Sequence, residues 1–273
     1  MVPWKTMATV VTALVCFVLA SGWARAAEDA SKPAPDVWEQ ASKFKVGDDE
    51  KVLIAVAAEV QKAADPGAKK QAEAKLAGLL ETGTPDARRF ACRQLWIVGT
   101  AQSVPALAKL LPDEQLSDAA RYGLERMQDA AAGAALREAA GKVKGKQLVG
   151  VLDSIGARRH AEALAAVAPR LADGDPAVAA AAAWALGRIG TAEAATSLSA
   201  ARAKADPKAK RAFDDAYLMA ADALAADGKK DLAAAIYREM VGPKESRHVR
   251  VAALRALQAM KPAPAEKQEA VSK

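Results

Sequence analysis

The chain has 273 residues, 52% of them hydrophobic but only 4% aromatic, and alanine fills about a quarter of its positions. Alanine leads the helix scale because its side chain loses no rotamer entropy there, and the β-branched and aromatic runs that build sheets are scarce, which disfavours sandwiches, barrels and Rossmann sheets. The net charge of +6 is spread along the chain and forms no dense basic stripe of the kind a nucleic-acid binder needs.

Residues 1–26 read as a cleaved signal peptide. Lys5 supplies a positive start, Ala8 to Ala20 is an uncharged apolar run, and Ala24-Arg25-Ala26 fits an A-x-A cleavage pattern. The run is too short for the ~20 residues that a membrane-spanning helix needs, and Val15 before Cys16 argues against a lipoprotein signal. The expectation is export to the periplasm or beyond, with cleavage near Ala26-Ala27 and no integral membrane segment left afterwards. Without Lys5 and Arg25 the 39 Lys and Arg fall to 37, against 33 Asp and Glu, a net charge of +4. One cysteine, Cys92, would remain, so stability must come from packing without an internal disulfide.

Residues 27–48 are expected to be a leader or linker, 49–260 the folded array, and 261–273 a disordered tail in which Pro262 and Pro264 oppose helix. Helical periodicity begins at about Asp49 to Ala64, with Val52, Val56 and Val60 four apart, and continues over Ala68 to Leu80, with Leu76, Leu79 and Leu80 together. Three later helix starts look alike: Thr84-Pro85, Asp175-Pro176 and Asp206-Pro207. Each offers Thr or Asp as N-cap, and Pro at the first helical position, where its missing N–H costs nothing. Pro85 to Pro176 is 91 residues and Pro176 to Pro207 is 31. Starts near Leu116-Ser117 and Gly145-Lys146 fill the register, so the chain repeats about every 30 residues.

Within each unit a first helix ends at an apolar-Gly stop (Gly99, Gly156 and Gly190), Gly suiting the left-handed residue that closes a helix. Second helices follow over Ser103 to Leu111, Ala161 to Ala172 and Ala192 to Ala203. The unit at Leu116 to Val143 lacks the Gly stop, having Met127-Gln128-Asp129 in its place. Helix, tight turn, helix and a short link make an α-solenoid, whose pairs bury their apolar faces only by stacking. The stretches CRQLWIVGTAQSVPALAKLL (Cys92 to Leu111) and DPAVAAAAAWALGRIGTAEAATSLSAA (Asp175 to Ala201) resemble HEAT repeats, in particular the short Ala-rich units of phycobilisome-lyase-type proteins. The resemblance covers about Asp49 to Met260 and implies an all-α, right-handed solenoid of six to seven units. Residues 206–245 depart from it, with a longer first helix, an Asp227-Gly228 turn and a second helix more like a tetratricopeptide helix.

The resemblance implies a protein-binding scaffold. It brings no enzyme activity with it, because the His-Glu pairs of the HEAT-like deoxyhypusine hydroxylases and a recognisable chromophore site are both missing from the sequence. The residues point the same way. Cys92 lies mid-helix with no base beside it, as a packed small residue would. His160 and His248 are flanked by arginine, a poor setting for a cation, and two His with one Cys do not make a zinc site. Asp48-Asp49-Glu50 and Asp214-Asp215 read as solvated helix-start carboxylates. Trp184 points about 200° away from Leu186 and is expected to pack between repeats.

The expected function is therefore a non-catalytic exported scaffold, without cofactor or metal, working as a monomer. The alternatives are an accessory subunit of an exported enzyme or redox complex and, more distantly, a phycobilin-lyase-like enzyme. On the second helices Leu107, Leu111, Leu136, Leu164, Leu171, Leu198, Ile236 and Met240 take the core side. Between them Lys109, Arg137, Lys142, Arg170, Arg202 and Arg238 form a candidate basic ladder for an acidic protein partner, interrupted by Glu138 and Glu239.

Overall fold

The computed structural model describes residues 36–260. The chain divides into two compact units, the boundary falling between Gln40 and Ala41. Of the first unit only 36–40 are described, the opening of helix α1 (Val37–Ser42). The signal peptide and tail expected at 1–26 and 261–273 lie outside the described residues.

Part of the segment expected to be linker is tied to the second unit's body. Phe44 is buried, the Thr84 N–H donates to the Ser42 carbonyl at 2.9 Å, and the Val46 N–H donates to Asp86 at 3.0 Å. The body then follows as α2 (Lys51–Lys62), α3 (Pro66–Thr82), α4 (Pro85–Val98), α5 (Val104–Ala108), α6 (Ser117–Arg126), α7 (Ala130–Ala140) and α8 (Gly145–Arg158). After α8 a broken stretch over 161–172, with α9 (Leu164–Val167) between two 3₁₀ turns, takes the place of one regular helix. The last elements are α10 (Pro176–Ile189), α11 (Ala192–Arg202), α12 (Lys210–Ala226), α13 (Lys230–Met240) and α14 (Arg247–Ala259). No strand occurs among the described residues.

The protein is an all-α solenoid of helix pairs. The first helices form one row, α2, α4, α6, α8, α10, α12 and α14, each packed on the next. The second helices, α3, α5, α7, the 161–172 segment, α11 and α13, lie beside them. Among the described residues six pairs and one unpaired first helix result, within the six to seven units that the resemblance implies. The core follows the periodicity: Val56, Val60, Leu76, Leu79 and Leu80 are buried, as are Leu107, Leu136, Leu186 and Leu198, whereas Leu164 is half-buried. Where Ala and Gly line the first helices, backbones approach closely. A Cβ on Gly156 would stand 2.6 Å from the Trp184 ring, so Trp184 packs between repeats.

Two of the three Pro starts form as expected, with the Thr84 hydroxyl accepting from the Ala87 N–H at 3.2 Å and Asp175 accepting from the Ala177 N–H at 2.9 Å. The third does not. Asp206 turns onto the Lys208 N–H at 2.8 Å, and α12 begins only at Lys210, beyond Pro207. Asp65-Pro66 is a further start of the same kind, its carboxylate accepting from the Ala68 N–H at 2.9 Å. The expected Gly stops are also corrected. Only Gly190 is left-handed, at φ +67°; Gly99 is extended at φ −69°, and α8 runs through Gly156 to Arg158 before Arg159 takes the left-handed position at φ 56°. The Asp227-Gly228 turn forms as expected, with Gly228 at φ +81°.

Arginines and a buried glutamate join neighbouring units. Arg158 Nη1 donates to the carbonyls of Leu124 at 2.8 Å, Glu125 at 3.2 Å and Met127 at 2.6 Å, and Nη2 to Asp129 at 3.3 Å. These are the carbonyls at and just past the end of α6, which a helix cannot satisfy internally. Glu73 on α3 is buried and accepts from the Thr100 N–H at 2.7 Å and the Ser103 N–H at 3.2 Å, fixing the turn into α5. Cys92 is buried on α4, and burial pushes its thiol up to about 12. Because the thiolate is the reactive form, Cys92 is expected to resist thiol reagents in the native protein and to label on unfolding. Prompt labelling of folded protein would show that α4 is not held as described.

Candidate partner-binding face

Two grooves stand out on the second-helix side of the described residues. The larger, about 540 Å³, lies between α5 and α7. Helix α5 is short: it starts with Pro105 in its first turn and tightens at Lys109, whose N–H bonds back to the Pro105 carbonyl at 3.2 Å. Asp129 sets the spacing of the two helices at one end, accepting from the Ala131 N–H at 2.8 Å to cap α7 and from the Ala101 N–H at 3.1 Å in the turn before α5. Opposite α5, helix α7 presents Ala131, Ala134 and Ala135, too small to close the space. The floor is apolar, with Val104, Leu111 and Val143, and the rim holds Lys109, Lys142 and Glu138. Lys142 pairs with Glu138 one turn away, and its hydrogen bond holds the Glu138 carboxyl below the usual carboxylate range. Lys109 is exposed and takes part in no ion pair among the described residues.

A second groove of about 430 Å³ opens between α11 and α13, floored by Tyr217 and Leu224 of α12. Its lining has no charged residue, and Leu232 on its edge is 47% exposed. The link after α11 runs from Ala203 to Ala209, and α12 starts only at Lys210.

The six-residue basic ladder does not exist as one surface. Lys109 and Lys142 share the α5–α7 groove. Arg137 lines a water-sized cleft with Arg158 and His160. Arg170 donates to the Ala140 carbonyl at 2.8 Å and lies 3.8 Å from Asp173, so it is a structural link. Arg238 is exposed on α13. Arg202 is buried at 7% exposure, and this is the clearest correction. Its Nε donates to Asp214 at 2.6 Å, its Nη1 lies 3.5 Å from Glu239, and its Nη2 pairs with Glu245. Burial by itself would lower the Arg202 pKa; hydrogen bonds to Glu245 and Asp214 more than reverse this and raise it.

Asp214, expected in solvent, is itself buried and also holds Lys210. The Tyr217 hydroxyl completes the group by donating to Glu239 at 2.9 Å. The cluster joins α11, α12, α13 and the turn before α14, so it fastens the sixth unit to the fifth. One signal for it was present in the sequence: Asp214 stands three residues before Tyr217, on the buried face of α12. Asp49, by contrast, behaves as expected, exposed and accepting from the Lys51 N–H at 3.0 Å.

His160 and His248 belong to no metal-binding cluster among the described residues. Trp96 is 46% exposed on α4. Tyr122 carries the Arg126 guanidinium 3.8 Å above its ring centroid, a cation–π contact. No described helix is long and apolar enough to cross a membrane.

Residues 147–214, from α8 to the first turn of α12, match the family model of HEAT repeats. The array is HEAT-like. No curated protein matches the chain. Among solved structures, an engineered protein is similar over 84% of this chain and 69% of its own, at 17% identity and a TM-score of 0.42. The complex of CpcE and CpcF of phycocyanin lyase from Nostoc sp. PCC7120 is similar over 85% of this chain and 97% of its own, at 20% identity and a TM-score of 0.39. A designed armadillo repeat protein in complex with the peptide (KR)4 is similar over 84% of this chain and 100% of its own, at 15% identity and a TM-score of 0.34.

Proposed function

We propose that this HEAT-like protein is an exported, non-catalytic scaffold that holds an acidic protein partner in the groove between α5 and α7. The observation that carries the reading is the groove itself: about 540 Å³, with an apolar floor and Lys109 and Lys142 on its rim. Apolar surface with a few convergent polar groups is the usual composition of a binding site. The rim lysines would steer an acidic partner in, an attraction that salt screens over ~8 Å at physiological strength.

The test is affinity purification of the mature protein from the exported fraction, beside the double variant Lys109→Glu with Lys142→Glu. The wild type is expected to start at Ala27 by mass spectrometry and to retain an acidic exported protein that elutes with salt. The double variant is expected to lose it while keeping its helical circular dichroism. Undiminished recovery by the variant would overturn the groove, and an intact Met1 terminus in membranes would overturn export.

A further inference from the structure

Among the described residues the row of first helices ends at α14, and one side of that helix meets no other described element. Helix α10, in mid-row, buries nine of its fourteen residues; α14 buries only Val249 and Ala253 of thirteen. Counted from the first helical residue, Val178 and Ala182 of α10 correspond to Val249 and Ala253 of α14. By the same count Ala183 and Gly187 correspond to Leu254 and Gln258. Gly187 is where α10 meets α12, since a Cβ there would lie 2.7 Å from the Ala216 carbonyl oxygen. Leu254 and Gln258 therefore stand on the face that would receive the next first helix.

That face is not a polar cap. Leu254 is 44% and Val251 38% exposed, with half-buried Leu257 continuing the line at a spacing of three. In a solenoid the terminal unit normally turns a polar face outward. The charge is equally one-sided: Arg247, Arg250 and Arg255 lie on α14, which contains no acidic residue, and none of the three takes part in an ion pair among the described residues.

We propose that this end of the array docks an acidic amphipathic helix of a partner protein. A helix fits because each earlier position in the row is filled by one. An acidic one fits because Arg247, Arg250 and Arg255 flank the apolar line and pair with no carboxylate among the described residues. An anionic membrane surface fits less well. The line is one residue wide and has no aromatic anchor; of the helix's other apolar residues Val249 and Ala253 are buried, and the exposed ones, Ala252 and Ala259, are too small to anchor in lipid. Because Leu254 replaces the Ala183 of α10, the incoming helix should present Ala or Gly opposite it.

The face is separate from the α5–α7 groove, so either proposal can fail alone; Lys109→Glu with Lys142→Glu leaves α14 unchanged. The probe is a fluorescent, Ala- and Leu-patterned helical peptide with Glu flanks, titrated against the full mature chain by anisotropy. A peptide with Lys in place of every Glu is the control. The acidic peptide is expected to bind, and affinity is expected to fall about tenfold or more with Leu254→Asp and with Arg250→Glu plus Arg255→Glu. All these positions lie at the surface or its edge, and unchanged thermal unfolding checks the fold. Several results would overturn the proposal: equal binding of both peptides, or undiminished binding by Leu254→Asp. So would self-association abolished by Leu254→Asp, or binding to anionic vesicles in preference to the peptide. A gain of peptide binding only when residues 261–273 are removed would show that this chain's own tail covers the face.

Discussion

Leu186→Asp is expected to unfold the centre of the array. Leu186 is fully buried on α10, the helix packed between α8 and α12. The substitution removes a well-packed aliphatic side chain, at a cost of about 3–5 kcal/mol. It also places a carboxylate at a fully buried position, adding several kcal/mol more unless the group takes up a proton. A typical folded domain has only about 5–15 kcal/mol to lose. The expected result is loss of the cooperative thermal transition, with protease cutting in 145–226 while outer pairs keep some helix, because a solenoid's stability is a sum over neighbouring interfaces. Wild-type-like melting would show that this face of α10 is not the core.

Arg202→Ala is expected to be nearly as damaging, for the opposite chemical reason. It leaves Asp214 buried with Lys210 as its remaining ionic partner, and it releases Glu239 and Glu245 from their common cation. Removing one partner of a buried pair typically costs about 3–5 kcal/mol, because the other charge is stranded. Urea unfolding monitored by tryptophan fluorescence and limited proteolysis of 203–260 should both register the change. The double replacement Arg202→Met with Asp214→Leu is expected to recover most of the loss, since apolar residues of similar size often substitute for a buried pair without penalty. If Arg202→Ala melts as wild type does, the cluster is solvated and Arg202 returns to the candidate binding surface.

The sequence made the architecture legible because its signals are local. Thr84-Pro85 and Asp175-Pro176 announce helix starts within four residues, and Leu76, Leu79 and Leu80 announce a buried face within two turns. The site was much less legible. Whether a basic residue on a second helix meets solvent depends on what lies about 12 to 40 positions away. Arg202 finds Asp214, Glu239 and Glu245; Arg170 finds a backbone carbonyl at Ala140, and any residue could have supplied that oxygen. Lys109 and Lys142, just past the ends of α5 and α7, kept the exposure expected of them on the rim of a groove. Asp206-Pro207 misled because the same local motif can close a free-standing turn as well as open a helix, and only the late start of α12 distinguishes the two.

The bonds that Arg158 makes have a consequence for how such arrays can be recombined. In the unit before it the first helix, α6, ends without a glycine stop, at Met127-Gln128-Asp129, and the carbonyls left there are satisfied by a guanidinium from the following unit. Excising one 31-residue module, or transplanting it to another register, would strand those oxygens or send the arginine into a neighbour already closed by Gly190. Although the modules look interchangeable along the sequence, this junction allows only one order. The chain is assembled less like identical beads than like keyed segments, each shaped for the one that follows it.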